Sequence, residues 1–308
     1  MEFSHVPVLF SETINSLRVK PNGVYVDCTA GGGGQAAAVL ERLSPKGKLI
    51  LIDRDPDAIA NLKVKFAGAE NVVIVHDNYS NIKEIVQNAC VPGADGVLAD
   101  LGVSSYQLDT PERGFSFHTE APLDMRMSKE GKSAYDVVNG YTEADLRRIL
   151  YAYGEEKFAP SIAKRIVAAR ADRPVETTLE LAEIVKSGIP ARARREGGHP
   201  ARRAFQAIRI EVNGEIENLS QSVEDMFSVL NVGGVLSVIT FHSLEDRAVK
   251  NVFRELTAGC TCPPDFPVCV CGKTPRGKLC GKVTPSAEEL EENPRARSAK
   301  LRSIEKLK

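Results

Sequence analysis

The stretch Asp27-Cys28-Thr29-Ala30-Gly31-Gly32-Gly33-Gly34-Gln35 decides the fold. The residues before it, Gly23–Cys28, have the length and apolar character of a strand, and Gln35–Leu43 reads as a helix. Glycines between a strand and a helix let the backbone turn at positive φ and approach a ligand closely. Two cofactor classes use such a turn. Gly31, Gly33 and Ala36 fit the dinucleotide pattern of glycine, glycine and a third small residue, a weak match by itself.

Asp27 bears on the choice. A phosphate at this turn would meet its carboxylate unfavourably. S-adenosylmethionine carries no phosphate and has a positive sulfonium and amine, which an acid would attract. Working outward, the same alternation continues. Lys48–Ile52 is a second strand ending at Asp53, followed by a helix Pro56–Phe66 with proline in its first turn. Val72–Val75 and Gly96–Leu101 are further strands, with a helix Ile82–Ala89 between them, and Asp100 closes the fourth strand. Strands spaced by helices imply a parallel sheet covered on both faces. Asp53 follows the glycines at the distance where a carboxylate accepts from both ribose hydroxyls, while Asp55 is better placed to cap the next helix.

The alternation then stops. Residues 104–122 read as loop, and from Ala134 to about Ile189 the pattern is helical: Thr142–Tyr153, Pro160–Ala171 and Thr178–Lys186. The α/β pattern resumes with a helix over 201–230, interrupted by Asn213-Gly214, then a strand Val235–Phe241. A helix Leu244–Leu256, opened by His242 or Ser243, follows, with last strands at Lys282–Thr284 and Ser298–Ile304. The expected organisation is a discontinuous α/β domain, 1–108 with 200–308, interrupted by a helical insertion, 109–199.

A chain of 308 residues with 43% apolar content can bury a full core. No apolar run approaches a membrane span, and no leader is evident, so a cytoplasmic protein is expected. The net charge of −1 hides an asymmetry. Residues 161–210 carry eleven lysines and arginines against five acids, among them Arg192, Arg194, Arg195, Arg202 and Arg203. The tail adds Arg295 and Arg297. Such clusters mark phosphate contacts or merely solvated helix faces. Five of the seven cysteines lie between Cys260 and Cys280, an arrangement unlike a secreted disulfide framework. Thiolates from Cys260, Cys262, Cys269 and Cys271 could hold a structural zinc, with Cys280 as a substitute ligand; the alternative is a loop of reduced thiols.

The third motif is Asp100-Leu101-Gly102-Val103-Ser104-Ser105-Tyr106-Gln107-Leu108-Asp109, at the carboxyl edge where open α/β sheets bind ligands. Further stretches accompany it: His5-Val6-Pro7-Val8-Leu9, Asp53-Arg54-Asp55-Pro56, Glu112-Arg113-Gly114-Phe115-Ser116-Phe117, Pro122-Leu123-Asp124-Met125-Arg126-Met127, Arg203-Ala204-Phe205-Gln206-Ala207-Ile208-Arg209-Ile210, Phe241-His242-Ser243-Leu244-Glu245-Asp246-Arg247 and Asn293-Pro294-Arg295-Ala296-Arg297-Ser298. Together these make the chain resemble the bacterial 16S rRNA cytosine-N4 methyltransferase family (RsmH or MraW). The resemblance implies a class I, Rossmann-like S-adenosylmethionine methyltransferase sheet with an inserted helical, RNA-recognising domain. It implies methylation of the N4 amine of cytosine 1402 in the decoding region of the small subunit. By motif position, cofactor contacts are then expected at Gly33, Gly34, Gln35, Asp53, Tyr79, Asp100 and Gln107, beside Asp27 and Gly31 from the glycine turn itself. The family usually has histidine at Gln35 and proline at Tyr106.

Asp100 is the first candidate for accepting the amine proton, and His242 the second, with helix capping as its alternative. Phe115, Phe117 and Tyr106 are candidates for stacking on a flipped base or for core. The expected partner is 16S rRNA in the small ribosomal subunit, with no membrane and at most a second copy of the chain as a homodimer. Two rival readings stand beside this one. A dinucleotide-dependent oxidoreductase would use only the glycine turn and Asp53. A non-enzymatic RNA-binding assembly factor would use only the basic patches.

Overall fold

Seven strands form one sheet: β1 (Val24–Asp27), β2 (Lys48–Asp53), β3 (Val72–His76), β4 (Ala94–Asp100), β5 (Leu230–Thr240), β6 (Gly277–Val283) and β7 (Lys300–Lys306). Their order across the sheet is β3-β2-β1-β4-β5-β7-β6. The first five pair in parallel, and β7 runs antiparallel to both of its neighbours. The computed structural model describes residues 7–195, 198–260, 262, 268 and 270–308. The chain divides into two compact units, residues 1–102 with 216–308, and residues 103–215.

The first unit is α/β and Rossmann-like. Side chains of successive strand residues point to opposite faces, and here both faces are apolar. Val26, Ile50, Ile52, Val97 and Ala99 pack on one side with helices α4 (Ile82–Asn88), α11 (Leu219–Ser228) and α12 (Ser243–Thr257). Tyr25, Leu49, Leu51 and Leu98 pack on the other with α1 (Phe10–Ser16), α2 (Gly34–Leu40) and α3 (Pro56–Lys65). The central strands therefore read as continuous hydrophobic runs, each fully buried aliphatic side chain contributing about 1.5–3 kcal/mol. The helices begin where local chemistry dictates. Pro56 occupies the first turn of α3, Asp55 accepts from Asp57 N at 3.0 Å, and Lys63 and Lys65 sit in the last turn, opposing the helix dipole.

The second unit is helical: α5 (Ser105–Asp109), α6 (Ala134–Gly140), α7 (Glu143–Ala152), α8 (Ala159–Arg170), α9 (Thr178–Ser187) and α10 (Arg202–Asn213). Leu146, Ile149, Ile162, Ile166, Leu181, Val185, Phe205 and Ile208 are buried in its core. Thr142 and Thr177 cap α7 and α9 by accepting from Asp145 N and Glu180 N. Two motifs of the sequence are knitted together in this unit. The buried Arg113 guanidinium donates to Arg126 O and Met127 O at 2.9 and 2.8 Å, and Met125 N donates to Arg113 O. Gly114 has φ +70, and a Cβ there would lie 2.3 Å from Pro122 O, so only glycine fits this crossing.

The interruption expected at Asn213-Gly214 divides the 201–230 stretch into two helices, because Gly214 takes the left-handed conformation (φ +61) that ends α10. The units meet in sequence at 102/103 and 215/216, where 108/109 and 199/200 were expected. The segment 104–122, expected as loop, opens with α5, whose Ser104 and Gln107 form a capping box. The helix α1 and a short helix α13 (Ala287–Glu292) carried no expectation. No helix among the described residues is long and apolar enough to cross a membrane.

Candidate active site

β1 lies between β2 and β4, and the chain runs outward from it first to one side and then to the other. The carboxyl ends of β1, β2 and β4 thus border the switch point where open α/β sheets hold ligands. Asp27, Asp53 and Asp100 are the last residues of those three strands. The alternation of strand and helix brings them to one edge.

The glycine turn connects these ends. Gly31 N donates to Asp53 Oδ2 at 2.7 Å, and Asp55 N donates to Asp53 Oδ1 at 2.8 Å. Thr29 N donates to Asp27 Oδ1 at 3.1 Å, and Asp100 N donates to Thr29 Oγ1 at 2.6 Å. Gly33 has φ +69 and precedes the first turn of α2; a Cβ on it would press on Leu62 and Phe66 of the neighbouring helix. Gly34 lies against the Pro7 ring. The carbonyl of Gly32 is held by Lys65 Nζ at 2.9 Å and Asn61 Nδ2 at 3.4 Å. The loop is fixed by side chains before any ligand arrives.

Its electrostatics are lopsided. Burial pushes the Asp27 carboxyl up to about 7, with neighbouring Asp53 adding to the rise against the Thr29 hydrogen bond. Burial pushes Asp100 up to about 8, helped by the negative charges of Asp27 and Glu245. Burial raises Asp53 as well, against the pull of its two backbone donors. Asp100 Oδ1 is buried and has no hydrogen-bond partner among the described residues, and neither has the buried Gln35 Nε2. A buried polar atom without a partner costs about 1–3 kcal/mol, so an unmet acceptor at the end of β4 and an unmet donor in the first turn of α2 point to ligand groups that complement them. The surplus of acids selects a cationic one.

The remaining sequence candidates fall as follows. Tyr79 opens a short turn after β3, half-buried against the core beneath α4, with Asn78 capping it. His242 caps α12: its Nδ1 accepts from Glu245 N at 3.4 Å, its Nε2 lies 3.0 Å from Glu245 Oε1, and Glu245 Oε2 accepts from Phe241 N and His242 N. Gln107 belongs to the other unit, where it is buried and its Oε1 accepts from Ser104 N at 3.0 Å. Phe115 is buried in that unit's core, and Phe117 stacks on His199 with ring centroids 4.5 Å apart. Arg192, Arg195, Arg202 and Arg203 are exposed in the helical unit, while Arg194 is half-buried and donates to Ile189 O at 2.7 Å. Arg295 and Arg297 are exposed in the α/β unit.

Of the expected metal ligands, Cys260, Cys262 and Cys271 come together, while Cys269 lies outside the described residues. Sequence reasoning missed two polar side chains of the strand ends. Thr29 ties Asp100 to the turn. Asp77, just beyond β3, accepts from Asn78 N and Asn81 Nδ2. Asp77 carried a signal like that of the other acids, a carboxylate at the end of an apolar strand.

A model of the MraW methylase family matches residues 2–307. Two proteins of Clostridium botulinum, from strains Kyoto and Loch Maree, are each 55% identical over 310 aligned residues covering all of both chains; each is named ribosomal RNA small subunit methyltransferase H. The solved structure of an rRNA methylase from Streptococcus thermophilus covers 99% of this chain and 99% of its own, at 14% identity and a TM-score of 0.43. With one family model spanning both units and full-length relatives sharing more than half of their residues with it, the chain belongs to the MraW methylase family.

Proposed function

We propose that this methylase transfers a methyl group from S-adenosylmethionine to the N4 amine of cytosine 1402 in 16S rRNA, within the small ribosomal subunit and in the cytoplasm. The observation that carries the methyl-donor reading is the buried, unpartnered Asp100 Oδ1 in an edge crowded with carboxyls. The donor set fits the group. Asp27 and Asp100 would face its positive charge, Asp53 keeps lone pairs for ribose hydroxyls beyond its two backbone donors, and Gln35 Nε2 offers a free donor. Gly31, Gly33 and Gly34 would let the backbone approach, and Tyr79 and Gln107 complete the expected contacts. When bound, S-adenosylmethionine supplies an electrophilic methyl on a sulfonium.

The rest of the chemistry falls to side chains. The lone pair of the cytosine amine is delocalised into the ring, so the nitrogen attacks well only when an acceptor draws on its protons. Asp100 is that acceptor. With its pKa near 8 it is largely protonated in the free protein at neutral pH and ionises when positive charge is brought to the strand ends. Asp100 would thus serve as the base once the site is filled, and residues that hold the amine in line with the methyl group would supply much of the remaining barrier reduction by positioning. The names of the relatives support the rRNA substrate. Arg192, Arg194, Arg195, Arg202, Arg203, Arg295 and Arg297 are the proposed phosphate contacts, giving affinity without reading sequence.

Calorimetry tests the cofactor class. S-adenosylhomocysteine binds with one site per chain and NAD does not; binding of NAD alone would return the oxidoreductase reading, and binding of neither the assembly-factor reading.

A further inference from the structure

α12 ends at Thr257 and β6 begins at Gly277. Three thiols of the connection between them converge. The Sγ atoms of Cys260, Cys262 and Cys271 all lie within 4.8 Å of one another, and Cys260 and Cys271 Sγ are 3.7 Å apart. That separation is far beyond a disulfide bond of about 2.05 Å. It matches the edge of a tetrahedron of thiolates, about 3.8 Å for metal–sulfur bonds of about 2.3 Å.

We propose that Cys260, Cys262 and Cys271 form a thiolate site for a soft divalent metal, zinc by its chemistry, which staples the connection between α12 and β6.

The surroundings of the sulfurs support this. Cys262 N donates to Cys260 Sγ at 3.4 Å, and the backbone N–H groups of Val270 and Cys271 donate to the Cys262 sulfur. Amide donors around thiolates are the supporting contacts that orient ligands and stabilise their charge in metal sites. Binding needs no oxidant: each thiol gives up its proton to solvent and its sulfur lone pair to the metal. Cys280 stands apart, its thiol pushed up by burial and its sulfur directed at Lys278 O. The site is independent of the methyl-transfer reading.

The test is elemental analysis of the full chain, purified without a chelating tag under reducing conditions, followed by stripping and titration with cobalt(II). One zinc per chain is expected, with a sulfur-to-cobalt charge-transfer band and visible bands of a tetrahedral centre after exchange. Both are lost in C260S/C271S and kept in C280S. Stripped wild-type protein retains its far-ultraviolet circular dichroism and regains one equivalent on adding zinc, which separates loss of ligand from loss of fold. Absence of stoichiometric metal with no thiolate–cobalt band, metal undiminished in C260S/C271S, or a mass two hydrogens lighter from a Cys260–Cys271 disulfide would each overturn the proposal.

Discussion

Binding of S-adenosylmethionine should release protons, and the structure sets how many. Asp27 titrates near 7 and Asp100 near 8 in the free protein, so at pH 7 about half of the first and nine-tenths of the second are protonated. A bound cation that pulls both well below neutrality releases about 1.4 protons at pH 7 and about 0.1 at pH 9. The association constant then rises roughly tenfold or more per pH unit near 7 and flattens above 9. Isothermal calorimetry in buffers of different ionisation enthalpy reads the number directly. Asp27→Asn should lower it by about 0.5 or more at pH 7, because removing that charge also relieves Asp100. Asp100→Asn should lower it by about 0.9. A release near zero at pH 7, or one that both variants leave intact, would refute the claim that these two carboxyls face the cation.

The same carboxyls make the free protein less stable as pH rises. Their folded pKa values lie above those of the unfolded chain, so their contribution is full below about pH 4 and lost as pH climbs through 7 to 8, up to about 4 kcal/mol for Asp27. Denaturant midpoints between pH 5 and 9 should fall in the wild type, and less steeply in Asp27→Asn; equal slopes would count against it. Asp53→Ala removes the acceptor of Gly31 N and Asp55 N and should weaken S-adenosylhomocysteine binding about 10–100-fold, read as Kd with the Tm of the free protein as control. Arg195→Ala with Arg202→Ala should flatten the dependence of log K for RNA on log salt by about 1.4–1.8 and raise KM at unchanged kcat; an unchanged slope would assign both to solvent. Gly114→Ala forces a Cβ into Pro122 O at positive φ and should cost roughly 2–4 kcal/mol in urea unfolding, a loss under about 0.5 showing that the crossing can relax.

What sequence could reveal depended on whether a residue's role was local. The strands β1, β2 and β4 were legible with their terminal acids because strands buried on both faces are unbroken apolar runs, and Asp27, Asp53 and Asp100 interrupt them. The reach of β6 was not. It is an edge strand, exposed almost throughout, and Lys278 and Lys282 hide its pattern while guarding the edge against pairing. The division at Asn213-Gly214 was visible as a helix stop, but that α10 belongs with the helical unit follows from packing of Phe205 and Ile208. Gln107 and His242 stood out as chemistry-bearing residues, and both turn out to cap helices through contacts three residues away. The motif containing Arg113 carried only the resemblance. Its guanidinium satisfies carbonyls inside the helical unit, a contact that spacing along the chain does not reveal.

Small subunits from a strain lacking the enzyme, incubated with the protein and S-adenosylmethionine labelled in its methyl group, should yield label in N4-methylated cytidine alone, mapping to position 1402 of 16S rRNA and absent with Asp100→Ala. Label in another nucleoside or another position, or undiminished transfer by Asp100→Ala, would contradict the account.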